Sequence, residues 1–365
     1  MTYRLGFVME QTLGQVTHTQ NFQQWVANDR DVDPTWILIT MDPDQPWATT
    51  PVIRRNWTLQ ASLQARTRVR EVLRTKALDG LFFHTQVTAL FGHRLMAQIP
   101  SVVSMDATPL NFDTIGSPYA HEPSALRQIE SVKNALTRRT FHRARRLVVW
   151  HHWGKESLVR DYGAPPDKVS VIPPGIDLNK WNFPRPPVPP TKPVRLLFVG
   201  GDFKRKGGEL LLTAFRDRLQ NECELDIVTR DQVDTTGLSN VRVHRGLGPN
   251  ATALMDLYAH ADLFIFPTLA DVLPLAIMEA LASGLPVVTT NVGAITEQVE
   301  QEVNGILIPP GDGHALAEST LRLVRDPALR FAMSAAARAA ATRLFNGAQN
   351  YSRLLDVCKT CVSSA

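Results

Sequence analysis

The residues that decide the fold are VRLLFVGGDFKRKGG at 194–208. The apolar run at 194–199 predicts a buried strand, and the glycines after it predict a tight turn that leads into a helix. Glycine lets the backbone approach a phosphate, a helix start offers unpaired N–H groups, and Arg205 or Lys206 adds a full positive charge. The succession of strand, glycine turn, basic residues and helix start predicts an anion-binding site. A tight turn with solvated basic residues is the alternative that the segment alone leaves open.

Short apolar runs alternate with segments of helical period along the whole chain, which indicates parallel sheets covered by helices on both faces. The strand candidates are 5–9, 36–41, 81–84, 102–105, 147–150, 169–172, 194–199, 224–228, 241–244, 263–267, 286–289 and 305–308. A proline-rich linker at 184–193 separates the two sets. The sequence therefore predicts an α/β protein of two doubly wound, Rossmann-like domains, at 1–183 and 194–345, with a ligand in the cleft between them.

Composition narrows the class of protein. The 365 residues carry 39 Lys and Arg against 35 Asp and Glu, and a net charge of +4 is too small to argue for a nucleic-acid partner. We expect no secretory signal, since the first residues hold no long apolar stretch and no small-residue cleavage site. We expect no membrane span, since no apolar run reaches roughly 20 residues. The three cysteines form no disulfide framework, so we expect a cytoplasmic protein with surface cysteines. The C-x-x-C spacing of Cys358 and Cys361 leaves metal or redox use as a minor alternative.

A second chemical feature is the loop and helix at 267–280, where Asp271 lies in the loop and Glu279 in the helix. Both carboxylates can accept hydrogen bonds from hydroxyl groups of a ligand that lies across the helix start. A diphosphate could meanwhile rest on the N–H groups near Leu275 and Ala276. A helix cap plus a solvated acid is the alternative.

At this point the residues resemble a known family, the retaining, metal-independent family 4 glycosyltransferases, which have the GT-B fold. The matching strings are VIPPGID at 171–177, FVG at 198–200, KG at 206–207 and the segment 271–288. Their order and separations match as well. The resemblance implies an enzyme that moves a sugar from a nucleoside diphosphate to an acceptor and requires no cofactor or metal. It also implies that a helix at 346–365 packs back on the first domain.

The resemblance assigns roles to residues of the second domain. It implies that Arg205 and Lys206 hold the donor diphosphate, that Asp271 contacts the donor sugar and that Glu279 contacts the ribose hydroxyls. The remaining donor-binding residues that it implies are Gly200, Gly201, Gly246, Leu247, Leu273, Pro274, Leu275 and Ala276. Gly246 and Leu247 would lie against the base. Two residues depart from the family pattern: Gly201 stands where an arginine is usual, so Arg205 would supply the missing charge, and Asp271 is one methylene shorter than the usual glutamate.

The first domain matches the pattern less closely. Gly14 follows the first strand and would let the loop approach the diphosphate from the acceptor side. Asp106 stands roughly where relatives present a histidine near the anomeric carbon, so we weigh it as a catalytic residue. We expect His151 and His152 to cap a strand end, and His18 stays open between a structural and a chemical role.

The predicted mechanism uses preorganised positive charge in place of a metal. Arg205, Lys206 and the helix-start N–H groups would stabilise the departing diphosphate, with Asp271 and Asp106 near the sugar. The family's same-face attack, in which the diphosphate takes the acceptor proton, would explain why no nucleophile with a paired base is visible. The acceptor is a glycan, a lipid or a small molecule that the sequence does not identify.

Other classes of protein fit less well. A dehydrogenase would carry G-x-G-x-x-G, which neither domain has. A nucleotide-sugar epimerase would share the cleft without the Asp271 and Glu279 pair, and a non-catalytic nucleotide-sugar binder stays open. One basic helical segment has two possible interpretations. It contacts the inner membrane surface peripherally, or it is a basic helix face exposed to solvent. Its residues are Arg138, Arg139, His142, Arg143, Arg145 and Arg146.

Overall fold

The computed structural model describes residues 2–12, 14–40, 56–115, 127–185 and 193–364. Within these residues the chain divides into two compact units. The first contains the residues up to Thr114, those from 127 to Gly175 and the stretch that begins at Gly347. The second contains Ile115 and the residues from Ile176 to Asn346. Each unit is built around one parallel sheet.

The first unit alternates strands with helices. Its strands are β1 (Tyr3–Glu10), β2 (Val32–Ile39), β3 (Gly80–His84), β4 (Ser101–Met105), β5 (Arg146–Val149) and β6 (Val169–Val171). Its helices up to this point of the chain are α1 (Gln15–Val26), α2 (Trp57–Thr75), α3 (Gln86–Ala89), α4 (His93–Gln98), α5 (Pro109–Ile115), α6 (Arg127–Arg143) and α7 (His152–Arg160). The strand order is β2-β1-β3-β4-β5-β6, with every pair parallel.

Strand β2 differs from its prediction at 36–41, because it begins at Val32 and ends at Ile39. The prediction started late because the strand contains Pro34, and proline argues against a central strand. Here β2 is the edge strand of the sheet, where a missing backbone N–H is tolerated, and Pro34 pairs in register with Leu5 of β1.

The second unit contains β7 (Val194–Val199), β8 (Cys223–Val228), β9 (Val241–His244), β10 (Leu263–Phe266), β11 (Val287–Thr290) and β12 (Gly305–Ile308). Its helices are α8 (Gly208–Ala214), α9 (Thr252–His260), α10 (Leu275–Ala282), α11 (Gly313–Arg325) and α12 (Pro327–Leu344). The order β12-β11-β10-β7-β8-β9 is parallel throughout, so the strand order reverses between β7 and β10, where such sheets bind ligands. The prediction of two doubly wound, Rossmann-like sheets is confirmed.

The helix α13 (Gly347–Ser363) belongs to the first unit. Its apolar face packs on the first sheet, in a cluster with β1 and β3 that includes Tyr351, Leu354 and Leu355. The expectation of surface cysteines is wrong, because Cys358 and Cys361 lie in the same cluster and Cys223 is buried in the second unit. Burial raises the pKa of the Cys361 thiol to about 11.

The residues around the start of the predicted linker pack within the second unit. The Trp181 ring lies edge-on to the Tyr258 ring, with centroids 5.1 Å apart. The Arg185 guanidinium donates to the carbonyl oxygens of Tyr258 at 2.7 Å and Ser283 at 2.8 Å. The second unit therefore begins before residue 184, where the sequence placed the start of the linker. Residues 186–192 of that linker lie outside the described residues, and its role stays a prediction.

Candidate functional site

The glycine turn after β7 lies at the carboxyl edge of the second sheet, between the turns that follow β8 and β10. The Gly200 N–H donates to the Val228 carbonyl at 2.9 Å, which ties the turn to β8. On the other side, Gly207 lies against the end of β10. A Cβ there would stand 1.9 Å from the carbonyl oxygen of Pro267, and Gly207 has a left-handed φ of +79°. Both conditions require glycine, so the approach of the two turns depends on this residue.

Arg205 links the glycine turn to the Asp271 loop. The guanidinium is buried, and its Nε donates to Oδ2 of Asp202 at 3.0 Å. Its Nη1 donates to the carbonyl oxygen of Ala270 at 2.7 Å and lies 3.7 Å from Oδ2 of Asp271. These contacts give Arg205 a clear part in holding the two turns together. Its predicted contact with a diphosphate stays a prediction.

Lys206 and Asp271, which the sequence places 65 residues apart, form an ion pair. The Lys206 Nζ lies 2.6 Å from Oδ2 of Asp271 and 5.0 Å from the centroid of the Phe266 ring. Both side chains are largely shielded from solvent, at 18% and 10% exposure. Because the carboxylate and the ring face restrict the ammonium group, Lys206 is held in place before any ligand arrives.

The start of α10 lies next to this ion pair along the chain. Leu273 and Pro274 are buried, whereas Leu275 and Ala276 are partly exposed in the first helical turn. Pro274 precedes the helix and makes no side-chain cap to it. The first N–H groups of a helix have no partner within the helix, so α10 offers donors and its positive dipole end at this edge of the sheet.

Glu279 lies in the second turn of α10 and is 6% exposed. Burial raises the pKa of its carboxyl group to about 7, and a hydrogen bond from the Tyr258 hydroxyl acts in the opposite direction. That hydroxyl donates to Oε2 of Glu279 at 2.9 Å. The sequence did not predict Tyr258, since it lies 21 residues away on α9 and no local pattern marks it.

The residues predicted to lie against the base are in the turn after β9. Gly246 has a φ of +74°, and a Cβ on it would meet nothing within 4 Å. Leu247 is partly exposed. The strand β9 is the outermost of its side of the sheet, with β8 between it and β7. The turn therefore lies at the carboxyl edge of the sheet, one strand beyond the turn that follows β8.

In the first unit, Asp106 follows β4 at the end of a short hydrogen-bonded chain. Its Oδ2 accepts from Nε2 of Gln15 at 3.0 Å, and Oε1 of Gln15 lies 2.7 Å from Nε2 of His84. Burial and the neighbouring Glu10 carboxylate raise the pKa of Asp106 to about 7. Asp106 is therefore poised to change its protonation near neutral pH.

Glu10 is the neighbour that the sequence did not single out. Its Oε1 accepts from the indole N–H of Trp57 at 2.6 Å and from the Thr12 hydroxyl at 2.6 Å. The Thr85 hydroxyl donates to its other oxygen. These donors hold a buried carboxylate at the end of β1, and they come from three separate segments, which no local motif could reveal.

The other predicted residues of the first unit occupy ordinary positions. Gly14 precedes α1 with a φ of −67°, and a Cβ on it would meet nothing within 4 Å. His151 caps α7, since its Nδ1 accepts from the Gly154 N–H at 2.8 Å. Burial lowers the pKa of His18 to about 3, so it is neutral at physiological pH. Within the described ranges, no group of three or more His, Cys, Asp or Glu side chains is placed to hold a metal ion.

Among the residues that the structure describes, no helix has both the length and the apolar character to span a bilayer.

Comparisons with known proteins agree with this architecture. The model of the family described as Glycosyltransferase Family 4 matches residues 14–180, and that of Glycosyl transferases group 1 matches residues 193–326. Sucrose-phosphate synthase from Thermosynechococcus elongatus superposes with a TM-score of 0.77 over 100% of both chains at 16% identity. Anabaena HepE in complex with UDP-glucose superposes with a TM-score of 0.69 over 97% of this chain and 99% of that one, at 16% identity.

These matches define the class as a two-domain glycosyltransferase of the GT-B fold. The chain belongs to the group 1 and family 4 glycosyltransferases, which confirms the resemblance. A D-inositol 3-phosphate glycosyltransferase of Xylanimonas cellulosilytica is 30% identical over 230 residues, which are 55% of this chain and 54% of that protein. The chain thus matches about half the length of this curated relative.

Proposed function

We propose that this protein is a retaining, metal-independent glycosyltransferase, which moves a sugar from a nucleoside diphosphate sugar to a hydroxyl group of an acceptor. The observation that carries the proposal is the ion pair of Lys206 with Asp271 at the glycine turn, beside the start of α10. A fixed ammonium group and helix-start N–H groups are what a diphosphate requires.

The donor diphosphate binds to Lys206 and to the N–H groups of Leu275 and Ala276. As the bond from the anomeric carbon to the diphosphate oxygen breaks, its electron pair passes to the diphosphate, and these donors bind the growing negative charge more strongly. The acceptor oxygen forms its bond on the same face of the sugar. The acceptor proton passes to the departing diphosphate oxygen, so no protein nucleophile takes part.

Asp271 and Glu279 bind the hydroxyl groups of the donor. Asp271 reaches the sugar while its other interactions keep Lys206 in place. Glu279 accepts from the ribose, and ribose hydroxyls would stabilise its ionised form, because hydrogen bonds to a carboxylate favour the charge. A UDP-sugar is the first donor to test, because the superposable HepE was crystallised with UDP-glucose.

The acceptor is a glycan, a lipid or a small molecule, and Asp106 acts near it in the first unit. We propose a cytoplasmic protein, with contact to the inner membrane surface if the acceptor is a lipid. The side chains of Arg138, Arg139 and Arg143 are exposed on α6 and suit anionic head groups. Salt-sensitive co-sedimentation with anionic vesicles that disappears when these arginines are changed would support the contact, and no binding at low salt would exclude it.

The test of the proposed function has two stages. UDP, GDP and ADP are first added singly in the presence of EDTA, and we expect one of them to raise the melting temperature. Sugars linked to that nucleotide are then assayed for release of the nucleoside diphosphate, and the anomeric configuration of the product is read by NMR. Nucleotide binding without turnover of any donor would favour the non-catalytic binder. An inverted product would contradict the retaining mechanism, and activity lost with EDTA would contradict metal independence.

A further inference from the structure

Two consecutive glycines of the turn after β7 each have a cationic side chain against them. A Cβ on Gly200 would lie 3.1 Å from Cβ of Lys206. A Cβ on Gly201 would lie 2.9 Å from Nε and 3.0 Å from Nη2 of Arg230. The guanidinium of Arg230 thus lies where the Cβ of a larger residue at position 201 would point.

The backbone around Arg230 is tied to this turn on both sides. The Val228 carbonyl accepts from the Gly200 N–H at 2.9 Å, two residues before Arg230. The Asp231 carboxylate, one residue after it, accepts from the Phe203 N–H at 2.7 Å. Two hydrogen bonds therefore hold the segment that carries Arg230 against the glycine turn.

Arg230 and Arg205 differ in how their charge is used. Arg205 is buried and bonded to Asp202 and to the Ala270 carbonyl. Arg230 is exposed, and within the part of the chain that the structure describes its guanidinium forms no hydrogen bond or ion pair. A guanidinium group carries five N–H donors in a planar fork that fits phosphate oxygens. The N–H donors of Arg230 are therefore accessible to a ligand, whereas Arg205 uses its donors to bond Asp202 and the Ala270 carbonyl.

We propose that Arg230 binds the diphosphate of the donor beside Lys206, in place of Arg205. The inference rests on the proposed function and names a residue that sequence reasoning did not select. Because β8 neighbours β7, the turn after β8 delivers Arg230 to the glycine turn from the side opposite to Asp271. The diphosphate then lies between two cations from different segments.

The geometry also explains the glycine at position 201. A side chain there would meet the guanidinium of Arg230, which would have to move aside, so the glycine lets Arg230 stay against the turn. An arginine at 201 would start from the place that the Arg230 guanidinium now fills, and shortening Arg230 leaves that place open for it. This dependence supplies a rescue experiment.

The experiment compares Arg230→Ala, Lys206→Met, the exposed control Arg343→Ala and the double variant Gly201→Arg with Arg230→Ala. Calorimetry measures the affinity of each for the tightest binder among UDP, GDP and ADP, and for its nucleoside without phosphates. We expect Arg230→Ala to weaken diphosphate binding about tenfold or more, since hydrogen bonds to charged groups contribute that much. Nucleoside affinity and melting temperature should stay near wild type, and the double variant should recover most of the diphosphate affinity.

Three results would overturn the proposal. Diphosphate affinity unchanged in Arg230→Ala, while Lys206→Met is weakened, rejects the role of Arg230 and leaves the proposed function standing. An equal loss for nucleoside and diphosphate, at an unchanged melting temperature, shows that Arg230 does not act on the phosphates and also rejects it. A wild type that binds none of the three diphosphates rejects the proposed function itself, and this inference with it.

Discussion

The carboxyl edges of the two sheets are built alike but carry opposite chemistry. In the first unit the edge holds two carboxyl groups, Glu10 and Asp106, each fixed by hydrogen bonds from neutral donors. In the second unit the corresponding edge holds Lys206 and Arg230, with Asp271 as a counter-ion. Six parallel strands do not determine what binds at their ends. The turns do, so the comparison can be tested one turn at a time.

The largest effect is expected from Lys206→Met. Removing a preorganised donor to the departing diphosphate should raise the barrier by roughly 3 to 4 kcal/mol, which lowers kcat about 100-fold to 1000-fold. Steady-state turnover of the active donor measures it. Lys204→Met is the matched control, because Lys204 is an exposed lysine of the same turn. Equal losses in both variants would show that general charge, and not the position of Lys206, matters.

The next largest effect is expected from Gly207→Ala, on the stability of the second unit. The new Cβ would need both a left-handed backbone and the space of the Pro267 carbonyl oxygen, so the second unit should lose about 3 kcal/mol of unfolding free energy. Urea unfolding followed by tryptophan fluorescence measures the loss. Gly246→Ala separates the two causes, because Gly246 shares the positive φ without the contact. If both variants lose the same amount, the approach of the turns is not important.

A smaller effect concerns pH. The folded pKa of Glu279 is raised to about 7 from 4.5, so the protonated form favours the fold. This contribution is complete below pH 4.5 and is lost as the pH rises to about 7, on the order of 3 kcal/mol. Nucleoside diphosphate affinity should change in the opposite direction, rising through pH 7 as the carboxylate ionises.

Glu279→Gln should remove both pH dependences. Asp106→Asn is the control for the first unit, since Asp106 has a similar pKa of about 7 and should leave the pH profile of nucleotide binding unchanged. Isothermal calorimetry between pH 5.5 and about 8.5 distinguishes the two carboxyl groups. If the pH profile of nucleotide binding changes in Asp106→Asn and not in Glu279→Gln, the titrating group lies in the first unit, which contradicts this prediction.

The smallest effect is expected from Gly14→Ala. The residue has an ordinary φ and open space around it, so the unfolding free energy should change by less than about 1 kcal/mol, and the change could be stabilising. If Gly14 lets a ligand come close, turnover falls while stability is kept. Turnover at the wild-type level would remove Gly14 from the predicted site.

Sequence reasoning identified the fold because short apolar runs and helical periods are local patterns, and central strands such as β3, β4, β10 and β11 are continuous buried runs. It also selected Lys206 and Asp271, since each lies in a turn after a strand that its neighbours define. It missed Tyr258 and Arg230 because each reaches its partner across space, from another helix or another strand end. It underestimated Arg205 as a structural residue, because its bond to the Ala270 carbonyl joins two turns 65 residues apart.

The position of α13 has a consequence for how the polypeptide is made. Residues 347–363 are synthesised after the whole second unit, yet Tyr351, Leu354 and Leu355 complete the apolar face of the first sheet. During translation that face of the first sheet stays exposed to solvent, while the second unit can already fold. A nascent chain in which residue 346 has just left the ribosome should therefore attract chaperones that recognise exposed apolar strands.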